Sequence, residues 1–335
     1  MSPARSPTGL RYDEGVHGPR ILFIFVDGLG LGDDDPAVNP VVRASAPVLR
    51  GLAGGPLAGA APRRTASAVL VPLDACLGVP GLPQSATGQT ALLTGQNAAA
   101  QIGRHLTAYP TPSLAALLES HGIMGALRRR GVSVALANAY TPAYFEAVTA
   151  RRLRYGAITL HALQAGVRLR TVDDLAAGRA VYQDLTNARA QDLGAAVPVI
   201  TPEEAGRNLA GIARAHVFTI FEFFQTDFAG HGRIDGTVEI IERLDRFVGA
   251  AVAHVDLDTT LVVLTSDHGN IEDERTRGHT TNPVPALLVG AGRDAVAGRL
   301  HVITDLAPAC LALLAGDAGS GEAGGERAAG TAVAP

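Results

Sequence analysis

The sequence contains no lysine, and all 28 of its Lys and Arg positions are arginine. This absence excludes a Walker-type phosphate loop, a Schiff-base lysine and a lysine general base. Any side chain that binds an anion must therefore be an arginine, a histidine or a neutral donor. The formal net charge of −4 provides no basic field, so we expect a small-molecule partner and neither a nucleic acid nor a membrane.

Cysteine and long apolar runs are also scarce. Cys76 and Cys310 are far apart and lack zinc-type spacing, which predicts buried thiols in a reducing compartment. No apolar run approaches the roughly 20 residues of a membrane helix, and residues 1–18 lack the apolar segment of a signal peptide. These features predict a cytoplasmic location.

Short β-rich runs alternate with amphipathic stretches along the chain. This pattern predicts an α/β fold in which a central, mostly parallel sheet carries helices on both faces, a three-layer sandwich. Helical spacing of apolar residues predicts helices over 113–130 and 237–255. The predicted strands cover 21–26, 69–73, 132–137, 217–224, 260–265 and 286–289.

Residues 141–200 differ from the flanking sequence because arginines are dense and the alternation of strands and helices is weaker. We interpret this segment as an inserted lid, or small subdomain, within a core formed by 19–140 and 201–315. Residues 1–18 and the Gly/Ala-rich residues 316–335 are predicted to be disordered.

Three predicted strands each run into an aspartate. Asp27 follows the first, Asp227 and His231 follow the fourth, and Asp267 and His268 follow the fifth. Because the carboxyl ends of parallel strands form one edge of an open sheet, these side chains can converge. A single such aspartate is usually a cap or turn residue, whereas three of them, two followed by histidines, are typical of a metal site.

A fourth segment adds His279, in the loop before strand 286–289. The six side chains are oxygen and nitrogen donors without a thiolate, which suits Mn²⁺ or Zn²⁺, and also Mg²⁺. They outnumber the ligands of one structural zinc, so two catalytic divalent ions are predicted, of the kind that clamps the oxygens in phosphoryl displacement.

A nucleophile is expected at a helix N-terminus near the metals, where the helix dipole favours negative charge. The segment 83–95 fits, with Ser85 at the start of a helical stretch. Ser85 as the nucleophile and Ser85 as a plain helix cap are both compatible with this pattern.

These motifs resemble those of the alkaline phosphatase superfamily, and within it the 2,3-bisphosphoglycerate-independent phosphoglycerate mutases and the phosphopentomutases. The similarity covers about residues 20–103 and 215–315. Its elements are Asp27-Gly28, Asp227-x-x-Gly-His231, Asp267-His-Gly-Asn270 and His279-Thr-x-Asn-Pro-Val-Pro, in the order of that family.

The resemblance implies an alkaline phosphatase-like core in which one metal is held by Asp227, His231 and His279. The other is held by Asp27, Asp267, His268 and the nucleophile oxygen. Two register comparisons imply Ser85 as the nucleophile, namely the similarity of residues 84–89 to the mutase segment N-S-E-V-G-H and the ten-residue spacing from Ser85 to Gly95. Thr87 is the alternative nucleophile.

The chain departs from the mutases in several places. It has too few residues for their large second domain, it lacks their R-D-x-R-D segment and their active-site lysine, and Gln89 stands where they have a histidine. We therefore expect a bimetal enzyme that acts on a small phosphate ester through a phosphoserine, with phosphatase-like hydrolysis. The alternatives are a phosphomutase and, in a different class, a non-catalytic metal-binding protein.

Sulfatase activity is disfavoured because Ser85 is not followed by the C/S-x-P-x-R sequence. Further candidates for contact with the substrate lie in two places. Asn97, Arg104 and His105 follow the helix that carries Ser85, and Arg151, Arg152 and Arg154 lie at the start of the predicted lid.

Overall fold

The computed structural model describes residues 18–316. The predicted disorder of residues 1–18 and 316–335 therefore concerns segments that lie, apart from Gly18 and Gly316, outside the described residues. Within the described range, no helix combines the length and apolarity needed to cross a membrane. Cys310 is buried, as predicted, whereas Cys76 is partly exposed, and both thiols are free.

The strands form one large sheet and one small sheet. The strands are β1 (Arg20–Val26), β2 (Arg63–Arg64), β3 (Ala68–Leu73), β4 (Val134–Leu136), β5 (Ala139–Tyr140), β6 (Arg170–Thr171), β7 (Phe218–Phe223), β8 (Thr260–Thr265) and β9 (Val284–Gly290). All six predicted strands are present, with ends that shift by one or two residues.

The seven-stranded sheet has the order β2-β3-β9-β8-β1-β7-β4. The block β8-β1-β7-β4 is parallel, whereas the neighbours β8/β9, β9/β3 and β3/β2 are antiparallel. The prediction of a mostly parallel sheet is therefore met only in part. The reason is the connection from β8 to β9, which contains no helix among residues 266–283, so the chain turns back instead of crossing over.

Helices cover both faces of the large sheet, as a three-layer α/β sandwich requires. The helices are α1 (Pro40–Arg43), α2 (Pro47–Ala53), α3 (Ser85–Thr94), α4 (Ala98–Ile102), α5 (Pro112–His121), α6 (Ile123–Arg129), α7 (Pro142–Thr149), α8 (Ala157–Gln164), α9 (Val172–Ala176), α10 (Ala188–Asp192), α11 (Pro202–Arg214), α12 (Gln225–Gly230), α13 (Thr237–His254), α14 (Arg293–Ala297) and α15 (Leu306–Leu314); a 3₁₀ helix covers Ile303–Asp305.

The side chains of β1 show the two layers directly, because alternate residues of a strand point to opposite faces. Phe23 and Phe25 belong to a core that includes residues of α3, α5, α6, α8 and α15. Leu22 and Ile24 belong to a second core that includes residues of α2, α11 and α13. Helix 237–255 is confirmed as α13, within one residue.

The predicted helix over 113–130 is instead two helices, α5 and α6, separated at Gly122. This glycine has an extended backbone, with φ −66° and ψ 140°. A Cβ atom at position 122 would overlap the ring of His161 and the carbonyl of Leu118. The Nε2 atom of His161 accepts a hydrogen bond from the N–H of Met124 at 3.0 Å. A side chain from α8 thus interrupts the helix, which periodicity alone could not indicate.

Residues 141–200, the predicted lid, contain α7 to α10 and one strand of the small sheet. Helix α8 packs into the main core through Ile158 and Ala162. The later residues form a small cluster of their own around Leu175 and Tyr182. Two arginines of this segment are used locally, since Arg168 and Arg179 both contact the buried Asp174. The division of the chain into core and lid stays a prediction.

Candidate metal centre

The three aspartates meet because β8, β1 and β7 are neighbours and end at the same edge of the sheet. Asp27 follows β1 directly, and Gly28 turns the chain with a φ of +68°. A Cβ atom at position 28 would lie 3.1 Å from Cα of Asp227 and 3.2 Å from Cβ of Asn270. Glycine is therefore required here both by the backbone conformation and by the close approach of the neighbouring loops.

The first cluster consists of Asp227, His231 and His279. Asp227 lies in α12, and His231 lies one turn later, at the end of this helix. The Nε2 atoms of His231 and His279 are 3.3 Å and 3.5 Å from Oδ1 of Asp227. The two Nε2 atoms are 3.1 Å apart. Three ligand atoms thus converge on one point.

The second cluster consists of Asp27, Asp267 and His268. The Nε2 atom of His268 lies 3.2 Å from Oδ1 of Asp27 and 3.6 Å from Oδ2 of Asp267. Asp267 and His268 are completely buried. The ring of His268 stacks on that of His279 with the centroids 3.7 Å apart, so the two clusters are adjacent.

The protein fixes the orientation of all three imidazoles through the ring nitrogen that faces away from the clusters. Nδ1 of His231, of His279 and of His268 lies 2.7, 2.7 and 3.4 Å from a backbone carbonyl oxygen. A carbonyl only accepts, so Nδ1 carries a proton and Nε2 is the ring nitrogen that faces the clusters, where its lone pair can bind a metal ion. Two lone pairs that face each other at 3.1 Å need a cation between them.

The carboxylates indicate the same requirement. Both oxygens of Asp267 and Oδ1 of Asp27 are buried without a hydrogen-bond donor. Burial, together with the charge of Asp27, holds the pKa of Asp267 well above its ordinary range. Burial alone would lower the pKa of His268, but the carboxylates of Asp267, Asp27 and Asp227 raise it to about 10. Three carboxylates around one buried ring leave an excess of negative charge, and this donor set fits divalent cations.

Ser85 lies beside the second cluster. Its Oγ is 3.0 Å from Nε2 of His268. Ser85 is the first residue of α3, and the cap position belongs to Gln84, so the interpretation of Ser85 as a helix N-cap is wrong. Its alternative, Thr87, is buried, donates to the carbonyl of Gln84 and accepts from the N–H of Leu106.

Glu272, a buried carboxylate that the motifs did not indicate, forms hydrogen bonds with several loops of the site. Glu272 is 1% exposed and accepts four hydrogen bonds. The donors are the N–H groups of Gly30 and Asn270, the hydroxyl of Thr280 and the amide of Asn282. It therefore joins the loop after β1 to both histidine segments. Its position two residues after Asn270 was the signal available in the sequence.

Two amides orient the aspartates directly. Nδ2 of Asn270 donates to Oδ1 of Asp227 at 3.0 Å. Nε2 of Gln89, the residue that replaces the mutase histidine, lies 3.4 Å from Oδ2 of Asp27. Such outer contacts hold ligands in the geometry that a metal needs.

A cavity of about 470 Å³ opens from both clusters. Among the candidate substrate contacts, Arg154 lines it, with Nη2 3.3 Å from the carbonyl of Pro110. The other five candidates are not among the lining residues. Asn97 caps α4, and Nε2 of His105 contacts the carbonyl of Val79 at 3.2 Å. The remaining three, Arg104, Arg151 and Arg152, are exposed.

The cavity also has walls that sequence reasoning missed. They include Arg233, Glu222 and several aromatic residues from distant parts of the chain. These residues share no spacing or motif, so no local signal was available for them. The carboxyl end of β7 places Glu222 near the site, five residues before Asp227.

Comparison with known proteins shows which proteins the chain is similar to. Residues 203–314 match the Metalloenzyme superfamily. A 2,3-bisphosphoglycerate-independent phosphoglycerate mutase of Cereibacter sphaeroides is 35% identical over 123 residues, which are 34% of this chain and 24% of that protein. The corresponding enzyme of Thermosynechococcus vestitus is 35% identical over 114 residues, 30% of this chain and 22% of that protein.

The match therefore spans about a quarter of the length of these curated relatives. Among solved structures, the PH0037 protein of Pyrococcus horikoshii has a TM-score of 0.53 at 15% identity, covering 89% of this chain and 98% of that one. This similarity supports the fold. The motifs, the site geometry and the family match over residues 203–314 together support a metalloenzyme of the alkaline phosphatase superfamily, similar to the 2,3-bisphosphoglycerate-independent phosphoglycerate mutases.

Proposed function

We propose that the protein is a phosphoryl-transfer enzyme that uses two divalent metal ions, acts on a small phosphate ester and forms a phosphoserine at Ser85. One observation carries the proposal. The hydroxyl of Ser85 lies 3.0 Å from Nε2 of His268, beside two clusters that each offer three ligands. The expected ions are Mn²⁺ or Zn²⁺, with Mg²⁺ also compatible with the donors.

The local structure favours negative charge at the reacting atoms. Ser85 begins a ten-residue helix, and the positive end of the helix dipole stabilises an anion there. Gly88 in the same helix passes close to Asp267, since a Cβ atom at position 88 would be 2.9 Å from the Asp267 carbonyl oxygen. The helix is thereby fixed against the second cluster.

The reaction follows from these positions. Asp227, His231 and His279 would hold one ion, and Asp27, Asp267 and His268 the other; when bound, the ions supply Lewis acidity and neutralise phosphate charge. The Ser85 oxygen forms a bond to phosphorus as the bond to the ester oxygen breaks, and its proton passes to solvent. The alcohol leaves, and water then hydrolyses the phosphoserine. Arg154 and Arg233 contribute positive charge at the cavity.

Replacement of the nucleophile tests the covalent step. Ser85→Ala should lower kcat by at least about a thousandfold and abolish trapping of ³²P on the protein in an acid quench. Thr87→Val, two residues along the same helix, should still form the phosphoenzyme. Turnover by Ser85→Ala at the wild-type rate, or a label that depends on Thr87, would refute the assignment.

A phosphomutase is the second candidate, because the curated relatives that match are mutases. Hydrolysis is favoured because the chain lacks lysine and has Gln89 in place of the mutase histidine. Metal-loaded enzyme incubated with phosphoglycerates and pentose phosphates should release inorganic phosphate. An isomer without phosphate release would establish the mutase instead.

Metal dependence separates both enzymes from a non-catalytic metal-binding protein. Activity should vanish in a chelator and return with Mn²⁺ or Zn²⁺, with two ions per chain at saturation. Fewer than two ions would refute the bimetal centre, and full metal loading without turnover of any phosphate ester would favour the binding protein. The cytoplasmic location stays a prediction.

A further inference from the structure

The tyrosines of this chain are concentrated at one place. The sequence has six tyrosines and no tryptophan, and five of the tyrosines lie in the described range. Four of these line the cavity at the metal clusters, and the fifth, Tyr155, packs against one of the four with ring centroids 6.3 Å apart. The four that line the cavity are Tyr109, Tyr140, Tyr144 and Tyr182. We call these four residues the tyrosine wall.

The tyrosine wall is built from separate segments and is held in place. Tyr140 and Tyr144 are 4.9 Å apart between ring centroids. The hydroxyl of Tyr140 shares a 2.7 Å hydrogen bond with that of Thr159 in α8. Phe224 and Phe228, whose rings are 5.2 Å apart, extend the apolar surface towards Asp227. Aromatic surface therefore reaches from the predicted lid to the metal ligands.

Among the described residues that line the cavity, Glu222 is the carboxyl group outside the two metal clusters. Glu222 lines the cavity, and none of the described side chains donates a hydrogen bond to its carboxyl group. Burial, followed by the charge of Asp27, raises the pKa of Glu222 to about 8. Its charge also acts on Tyr140 and Tyr144, so it lies near the tyrosine wall. The carboxyl group of Glu222 therefore lacks a hydrogen-bond donor, which a bound ligand can supply.

Two cations of the cavity lie over aromatic rings, one of them in the tyrosine wall. The guanidinium of Arg154 lies 5.9 Å from the ring centroid of Tyr109, and that of Arg233 lies 5.5 Å from that of Phe228. Two fixed positive charges disfavour a cationic ligand such as a quaternary ammonium. Uncharged planar groups stack well on aromatic faces, and the two arginines do not repel them.

We propose that the substrate is a phosphomonoester of a ring-bearing alcohol, an aryl or nucleoside compound, whose planar ring lies on the tyrosine wall and whose N–H or O–H donor reaches Glu222. This inference rests on the proposed function and specifies its substrate class. The cavity volume of about 470 Å³ lies in the range that holds drug-sized ligands, which is more space than phosphate and a short acyclic alcohol require.

Matched substrate pairs test the class. Adenosine 5′-monophosphate and ribose 5-phosphate carry the phosphate on the same alcohol and differ by the base. Benzyl phosphate and butyl phosphate differ by the ring. In each pair the ester that carries a planar aromatic ring should have a kcat/KM about tenfold higher or more, given the usual contribution of stacking on an aromatic side chain. The pair with the larger ratio distinguishes a nucleoside from an aryl compound.

Two variants of the wall test the mechanism of the preference. Tyr144→Leu should lower the ratio of kcat/KM between ring-bearing and ringless esters about tenfold, and Tyr144→Phe should restore most of it. Glu222→Leu should raise KM for the nucleotide, because leucine removes the acceptor at this position. It should leave the benzyl to butyl ratio near the wild-type value, because benzyl phosphate offers no donor. Glu146→Ala, on the exposed face of α7, is the matched control and should leave all ratios unchanged.

The outcomes separate this inference from the proposed function. Turnover of phosphate esters without a preference for rings, a higher kcat/KM for phosphocholine, or a ratio that Tyr144→Leu leaves unchanged would overturn the substrate class while the phosphoryl-transfer activity stands. The absence of turnover of any of these esters by metal-loaded enzyme would overturn both.

Discussion

Glu272 allows the sharpest prediction about how the site is held. Its side chain is 1% exposed and accepts hydrogen bonds from Gly30, Asn270, Thr280 and Asn282. A hydrogen bond to a charged group contributes about 1.5–3 kcal/mol, so four sum to a nominal 6–12 kcal/mol. Relaxation and entering water reduce the loss. We expect Glu272→Ala to lower the free energy of unfolding by about 3–5 kcal/mol, the usual range when a buried charged network loses one partner.

Glu272→Gln provides the internal comparison. The amide oxygen can still accept from the N–H groups of Gly30 and Asn270. The new NH₂ group can donate to Thr280 Oγ1 and, once the Asn282 amide has turned, to its oxygen. The Thr280 hydroxyl and the Asn282 NH₂ group lose Glu272 as their acceptor, but the side chain keeps its hydrogen bonds to the surrounding loops, so the cost should be only about 1–2 kcal/mol. The exposed Glu274, which pairs with Arg43 at the surface, is the control, and Glu274→Ala should cost less than about 1 kcal/mol.

Urea unfolding followed by circular dichroism, first in a chelator and then in saturating Mn²⁺, measures these differences. Calorimetric titration should also show metal binding weakened about 10–100-fold in Glu272→Ala, as for other residues that orient ligands. The reasoning fails if Glu272→Ala stays within about 1 kcal/mol of the wild type, or if Glu272→Gln is as damaging as Glu272→Ala.

Three further predictions concern the packing around the site. Burial, then the charge of Arg129, lowers the pKa of His161 to about 4; the unfolded chain, with an ordinary pKa near 6.5, binds the proton first on acidification. Stability should therefore fall by about 3 kcal/mol between pH 6.5 and 4 relative to His161→Gln, measured by urea unfolding across that range. Gly122→Ala should destabilise the protein by about 2–3 kcal/mol in the same assay, because its Cβ overlaps the His161 ring; an unchanged midpoint would contradict this. Gly88→Ala should push the nucleophile helix away from Asp267 and lower kcat about 10–100-fold with little change in unfolding midpoint; wild-type turnover would show that the helix position is not critical.

The sequence made the metal centre predictable because each of its three aspartates lies within four residues of the end of a hydrophobic strand. A strand followed by an aspartate is a short pattern that can be seen in the sequence. Because the three strands are parallel neighbours, their carboxyl ends and the aspartates that follow them come together. The family resemblance divided the ligands into two sets, and the structure brings the same two sets together. Their roles as metal ligands stay predictions until an ion is measured.

Other features depend on contacts between distant segments and could not be predicted. The helix break at Gly122 is caused by His161, which lies on another helix. The antiparallel edge of the sheet follows from a connection without a helix between β8 and β9. Of the arginines predicted to contact the substrate at the start of the lid, only Arg154 lines the cavity. Two other arginines of residues 141–200, Arg168 and Arg179, contact Asp174 inside that segment.

The two ends of the cavity come from different parts of the chain, and this separation has a functional consequence. Asp27, Asp227 and Asp267 follow strands of the central sheet, and Glu272 locks their loops. The tyrosine wall comes largely from residues 109–182, outside those loops. Changes at the strand ends should therefore alter metal affinity and kcat for every substrate, whereas changes in the wall should alter the relative kcat/KM of different esters. Under the proposed function, the reaction depends on the metals and needs no lysine, and the organic part of the substrate is selected independently of them.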